Sequence, residues 1–141
     1  MTLLAEDLHW AKHARPVVLL VEDEVLIRLA TADWLEDAGF EVVEAANGPE
    51  AMAAISAGLD FQALATDITM PGEPDGAGLV IAVRQLLPQM PIVVVSSILP
   101  PPIATVVDRF VCKPYSAADL VRAVRSLIQP AEQILATATE S

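Results

Sequence analysis

Apolar and polar positions fall along this chain in blocks of two alternating kinds. From Pro16 to Val21 the run PVVLLV has no polar position, the pattern of a strand buried on both faces. Residues 24–38 switch to a helical period, with Ile27, Ala30, Trp34, Leu35 and Ala38 expected on one side and Gly39 as the stop. EVVEA (41–45) predicts a second strand. Asn47-Gly48-Pro49 then opens a helix, with Asn as cap and Pro in the first turn, that runs to about Ala57 before Gly58. QALAT (62–66) predicts a third strand and is followed by the turn MPGEPDG. A helix is expected over 76–87, with Pro88 and Pro91 bracketing the next loop. IVVVS (92–96) and VDRFVC (107–112) predict the fourth and fifth strands. Ser116 caps the last helix with Asp119 three residues on, and Leu120, Val124, Leu127 and Ile128 form its buried stripe.

This is a strand–helix unit repeated five times. Buried strands alternating with amphipathic helices imply a parallel sheet covered on both faces. Five units fit the flavodoxin-like doubly wound α/β fold with strand order 2-1-3-4-5, whereas an eight-stranded barrel needs roughly twice the length. One unit departs from the rhythm. ILPPPIAT (98–105) holds three consecutive prolines, which remove amide donors and disfavour helix, so the fourth helix is expected to be short or missing. Residues 1–15 read as an N-terminal extension, 16–129 as the domain and 130–141 as an Ala/Thr-containing tail. In the extension Leu4, Leu8 and Ala11 share one helical side, a partly ordered tail or a helix docked on the domain or on a second copy. His9 and His13 stand i, i+4 without a third ligand nearby, which argues little for a metal.

Composition narrows the function classes. Hydrophobic residues make up 54% of the 141, enough for a core, while only 4% are aromatic, so the core is aliphatic. The net charge of −11 repels phosphate backbones and anionic lipid, which argues against direct nucleic-acid binding and membrane association. Cys112 is the single cysteine, so no intrachain disulfide forms, and its apolar surroundings predict a buried core residue. The first residues lack a basic segment followed by a long apolar one, and no run is long enough to span a bilayer, so a cytoplasmic protein is expected.

In an open α/β sheet, ligands bind outside the carboxyl ends of the strands. Those ends carry Glu22-Asp23-Glu24, Asp67, Ser96-Ser97 and Lys113-Pro114. In the order 2-1-3-4-5 the first and third strands are neighbours, so their carboxylates converge. Converging carboxylates demand either a raised pKa or a cation, and an all-oxygen donor set favours Mg²⁺. Lys113 and the Ser96 hydroxyl approach from the other side. Carboxylate, ammonium, hydroxyl and cation around one point suit phosphoryl transfer, with Asp67 as the nucleophile that forms an acyl phosphate. Each residue alone also has a plainer reading: Glu22 to Glu24 as acids at a helix start, Asp67 and Ser96 as turn residues, Lys113 as a surface charge. Their joint placement at the strand ends favours the chemical reading.

The segments VVLLVEDE (17–24), ALATDITMPG (63–72), PIVVVSS (91–97) and FVCKPY (110–115) resemble the receiver domains of bacterial two-component response regulators, over roughly residues 16–129. The resemblance implies Asp67 as phosphoacceptor, with Asp23, Asp67 and the Thr69 carbonyl on Mg²⁺ and Glu22 binding it directly or through water. It implies Ser96 and Lys113 on the phosphoryl group, a cis Lys113-Pro114 bond, and Phe110 as the aromatic that moves inward when Ser96 shifts. Glu22 stands where the family often has Asp, Ser96 where Thr is commonest, PGEPDG is one residue longer than usual, and Pro100-Pro101-Pro102 falls where the output face is normally formed. Phe110 reads equally well as a packed aromatic.

The expected partners are a histidine kinase or histidine phosphotransfer protein and an output protein of unknown identity; homodimerisation stays open. A self-catalysed phosphoacceptor of this kind is not an enzyme in the turnover sense. Two other readings stand beside it. An aspartyl-phosphate phosphatase would have a second Asp two residues past the nucleophile, where Thr69 stands. A same-fold interaction or flavin-binding module would forgo phosphate, although Glu22-Asp23-Glu24 opposes a flavin phosphate.

Overall fold

A computed structural model describes residues 15–128, so the expectations for the N-terminal extension through residue 14 and for the tail lie outside the described residues. Five strands, β1 (Val17–Val21), β2 (Glu41–Ala45), β3 (Ala63–Asp67), β4 (Ile92–Ser96) and β5 (Arg109–Cys112), form one sheet in the order β2-β1-β3-β4-β5. Every pairing is parallel. Helices α1 (Val25–Asp37), α2 (Gly48–Ser56), α3 (Gly76–Leu86) and α4 (Ala117–Leu127) cover its two faces. This is the doubly wound, flavodoxin-like arrangement that the strand–helix rhythm predicts.

The first, third and fourth predicted strands become the three central strands of the sheet, which are buried at every position. Their side chains alternate between two cores. Val17, Leu19, Leu64, Ile92 and Val94 pack with α2 and α3 residues such as Ala51, Leu79 and Val83. Val18, Leu20, Ala65, Val93 and Val95 pack with Leu35 of α1 and Leu120 and Val124 of α4. Strand β2 lies at the sheet edge, which explains why Glu41 and Glu44, three residues apart and so on opposite faces, are both exposed there.

The predicted caps are in place. Asn47 accepts from the Glu50 amide at 2.8 Å, and Ser116 and Asp119 form a reciprocal capping box. Gly39 has φ 105°, a left-handed conformation that ends α1 at little steric cost. The acids before α1 divide the capping work unexpectedly: Glu24 occupies the cap position with no side-chain cap bond, while Glu22 Oε1 accepts from the Glu24 amide at 3.1 Å.

Several expectations need correction. The buried residues of α1 are Thr31, Ala32 and Leu35; Ile27, Ala30, Trp34 and Ala38 are only half-buried, and Leu26 and Leu29 face solvent. The docked face is turned from the apolar stripe because Thr31 finds a polar partner inside, the Tyr115 hydroxyl at 3.2 Å. The third strand is shifted by one residue and ends on Asp67 itself. The fifth strand begins at Arg109 rather than at residue 107, because Asp108 turns its carboxylate back onto the Ile92 amide and Arg84. Cys112 is exposed, not buried. It lies on the edge strand β5, where Val111 alone of the four residues is buried.

That exposure has a cause in the preceding segment. The fourth crossover is a single 3-10 turn, Pro101–Ile103, as the prolines predict. Ile103 is fully buried against the α3 side of the core. Arg84 of α3 holds the remainder: it donates to the Val106 carbonyl and pairs with Asp108 at 2.8 Å, while its other nitrogen donates to the Pro88 and Met90 carbonyls of the loop before β4. The turn is thereby drawn toward α3, and Phe110 and Cys112 of β5 are left uncovered.

Candidate phosphoacceptor and metal site

Five residues singled out in the sequence, Glu22, Asp23, Asp67, Ser96 and Lys113, stand at the carboxyl end of the sheet, and the central pair is direct. Asp67 ends β3, 7% exposed. Its Oδ1 accepts from the amides of Ile68 at 2.6 Å and Thr69 at 3.3 Å, which fixes the carboxylate plane. Its Oδ2 accepts from Lys113 Nζ at 2.8 Å. The same ammonium lies 3.9 Å from Glu22 Oε2. Lys113 reaches the site from the residue after β5, where its amide donates to the Ser96 carbonyl at 3.0 Å and its bond to Pro114 is cis, as the resemblance implies. A second cis bond, Glu73-Pro74, lies in the loop after Asp67.

Glu22, Asp23 and Asp67 each offer a carboxylate oxygen, and these oxygens lie within 4.8 Å of one another. Glu22 is 5% exposed, and its pKa is pushed up to about 7. Loss of solvation is the main cause and the nearby Asp67 charge adds to it, while the Glu24 amide and Lys113 oppose the rise. Burial alone would lower the Lys113 pKa, but the hydrogen bond and charge of Asp67, with help from Glu22, hold it above its usual value. Three clustered carboxylates, two of them within reach of a single ammonium, thus form an electrostatically unbalanced site. The donors are hard oxygens without His or Cys, and added positive charge would relieve the cost visible at Glu22, so the residues fit a divalent cation of the Mg²⁺ type.

The other candidates are more peripheral. Ser96 is buried at the end of β4, one residue beyond Val95, the strand partner of Asp67. Thr69 is exposed, with its amide turned to Asp67. Phe110 lies off the site, 37% exposed, paired with Val94 in the sheet.

Two supporting residues were not apparent in the sequence. Gly76 opens α3 directly against the backbone of β3: a Cβ there would collide with the Asp67 carbonyl oxygen and with Ile68. Its amide also donates to the Ile68 carbonyl at 3.0 Å. The only signal was a glycine at a predicted helix start. Arg28 of α1 donates to the Glu22 carbonyl at 2.8 Å and pairs with Glu44, bracing the acidic loop. An Arg four residues past Glu24 carried no separate signal.

Residues 18–125 match the model of the response regulator receiver domain. The chain is 36% identical over 118 residues to the C4-dicarboxylate transport transcriptional regulatory protein DctD of Rhizobium meliloti, a match that covers 79% of this chain and 25% of that protein. It thus spans about a quarter of the length of this curated relative. Among solved structures, the chemotaxis protein CheY4 of Vibrio cholerae superposes with a TM-score of 0.73 at 29% identity, covering 82% of this chain and all of that one. A response regulator receiver protein from Sinorhizobium medicae gives a TM-score of 0.72 at 31% identity, covering 79% and 93%.

The chain therefore belongs to the response regulator receiver domain family of two-component signalling. Domains of this family are signalling phosphoacceptors, generally not classed as enzymes, that interact with histidine kinases and output domains. Among the described residues, no helix is long and apolar enough to cross a membrane.

Proposed function

We propose that Asp67 accepts a phosphoryl group from a phosphohistidine of a histidine kinase or histidine phosphotransfer protein, and that the phosphorylated state alters binding to an output partner in the cytoplasm. The observation that carries this reading is the Lys113–Asp67 contact of 2.8 Å beside the cluster of Glu22, Asp23 and Asp67.

A carboxylate oxygen of Asp67 attacks phosphorus, forming an O–P bond as the N–P bond of the donor breaks. The electron pair of that bond stays on the imidazole nitrogen, and the ring leaves as neutral imidazole once that nitrogen carries a proton. The amides of Ile68 and Thr69 hold the carboxylate in place throughout. Lys113 is positioned to offset charge on the phosphoryl oxygens, and the Ser96 hydroxyl to donate to one of them. Glu22, Asp23, Asp67 and the Thr69 carbonyl are the groups that would hold Mg²⁺, which supplies further neutralisation of phosphoryl charge when bound.

Phe110 and the uncovered face of β5 are the surface proposed to change with Ser96 and Lys113, and so to be read by the partner. Thr69 in place of a second Asp argues against a phosphatase.

Incubation with Mg²⁺ and a small phosphodonor such as acetyl phosphate tests the reading. Rapid incorporation of one phosphoryl group, abolished by chelation of Mg²⁺, is expected. An unmodified wild-type protein under these conditions would overturn it.

A further inference from the structure

The link from β5 to α4, residues 113–116, carries the lysine of the site on a short stretch outside regular structure. One end is fixed by the Lys113 amide on the Ser96 carbonyl, the other by the Ser116 capping box. Between them, Tyr115 reaches sideways to α1. Its hydroxyl meets Thr31 Oγ1 at 3.2 Å, with one hydroxyl donating and the other accepting. Its ring stands edge-on to Trp34, at 6.1 Å between centroids and 90° between planes, and packs against the core cluster that includes Leu35 and Leu120. Thr31 is 2% exposed, so its hydroxyl is turned inward in a helix where an apolar residue would serve packing equally well.

Helix α1 is also the element that follows the acidic loop, and Arg28 ties it to the Glu22 carbonyl. Tyr115 therefore connects the segment bearing Lys113 to the helix that braces Glu22 and Asp23. We propose that Tyr115, through Thr31, is a positioning residue that sets Lys113 against Asp67 rather than Glu22. The 2.8 Å and 3.9 Å separations of Nζ from those two carboxylates are the quantity it controls. The functional consequence rests on the phosphoacceptor reading of Asp67; the positional one does not.

The variants are Tyr115→Phe, Thr31→Val and Thr31→Ser, studied in the full chain. Phe keeps the ring and its packing, and Thr31 can turn its hydroxyl to a carbonyl of its own helix, so folding is expected to survive. Two readouts are followed. The first is the ammonium resonance of Lys113 in protein labelled with ¹⁵N-lysine, without metal, which reports the Lys113–Asp67 hydrogen bond directly. The second is the rate of phosphorylation by acetyl phosphate with saturating Mg²⁺.

Tyr115→Phe and Thr31→Val are expected to shift or broaden the Lys113 resonance and to slow phosphorylation about tenfold, the scale of a sub-ångström misplacement. Thr31→Ser is expected to retain wild-type values, and the double variant Tyr115→Phe/Thr31→Val to lose no more than either single one. Mg²⁺ affinity should stay within about twofold, since the acidic loop keeps its Arg28 brace; a merely structural loss would lower affinity, rate and thermal midpoint together. An unchanged Lys113 resonance in both Tyr115→Phe and Thr31→Val overturns the proposal. A shifted resonance in a protein that never accepts phosphate upholds the positioning role and overturns the phosphoacceptor reading instead.

Discussion

Lys113 Nζ donates to Asp67 Oδ2 at 2.8 Å, joining residues that are 46 positions apart in sequence and stand on the ends of β5 and β3. Strand β4 lies between them in the sheet, so the lysine must span one strand to reach its partner. The length and single charge of Lys suit that crossing, and the ammonium remains partly open to solvent, with the side chain 28% exposed.

Replacing Lys113 by Met keeps the stem and removes the charge. Loss of a preorganised donor at developing charge is expected to slow phosphoryl transfer to Asp67 by about 10²-fold. Single-turnover kinetics with acetyl phosphate measure it, and a rate within threefold of wild type would remove Lys113 from the reaction.

Gly76→Ala forces a Cβ against the Asp67 carbonyl and Ile68. Both obstacles are backbone, so neither can yield as a flexible side chain would. The cost is expected to be about 3 kcal/mol, read as a lower urea midpoint. An alanine variant as stable as wild type would mean that α3 does not start where the structure sets it.

Much of this architecture is legible in the sequence because it follows from local pattern. The runs at Val17–Val21 and Ile92–Val95 are apolar throughout, and such a run suits a strand covered on both faces. The caps at Asn47 and Ser116 and the prolines at 100–102 act within a few residues of themselves. The placement of Glu22, Asp23, Asp67, Ser96 and Lys113 at one end of the sheet is legible because a parallel sheet brings strand ends together whatever the details between them. What could not be read depends on contacts distant in sequence. Thr31 is buried because Tyr115 lies 84 residues away, Cys112 is exposed because the turn before β5 is pulled toward α3, and Gly76 matters because it meets Asp67.

Arg84 is the clearest of these long-range devices. Through Val106 and Asp108 it holds the segment before β5, which has little helix of its own, and through the Pro88 and Met90 carbonyls it anchors itself to the loop before β4. Arg84→Met is expected to destabilise the domain by about 2 kcal/mol. It is also expected to speed proteolysis within 97–108 ahead of global unfolding. Cleavage kinetics followed by mass spectrometry distinguish this from uniform loss of stability, and unchanged cleavage would show that the prolines alone hold the segment.

Asp23 is the most solvent-open member of the acidic cluster and has no tie to Lys113 among the ion pairs described. Asp23→Asn removes one anionic oxygen ligand and is expected to weaken Mg²⁺ binding at least about tenfold with little effect on folding. Isothermal titration measures the affinity. Equal affinity in the variant would move the cation away from this cluster.

The central claim is that the carboxylate of Asp67 carries the phosphoryl group. Mass spectrometry of the protein after exposure to Mg²⁺ and acetyl phosphate tests it directly, with wild type and Asp67→Asn side by side. Wild type should gain one phosphoryl group, removable by hydroxylamine as expected of an acyl phosphate, and Asp67→Asn should gain none. A gain of the same size in Asp67→Asn would contradict the account, as would its absence from wild type.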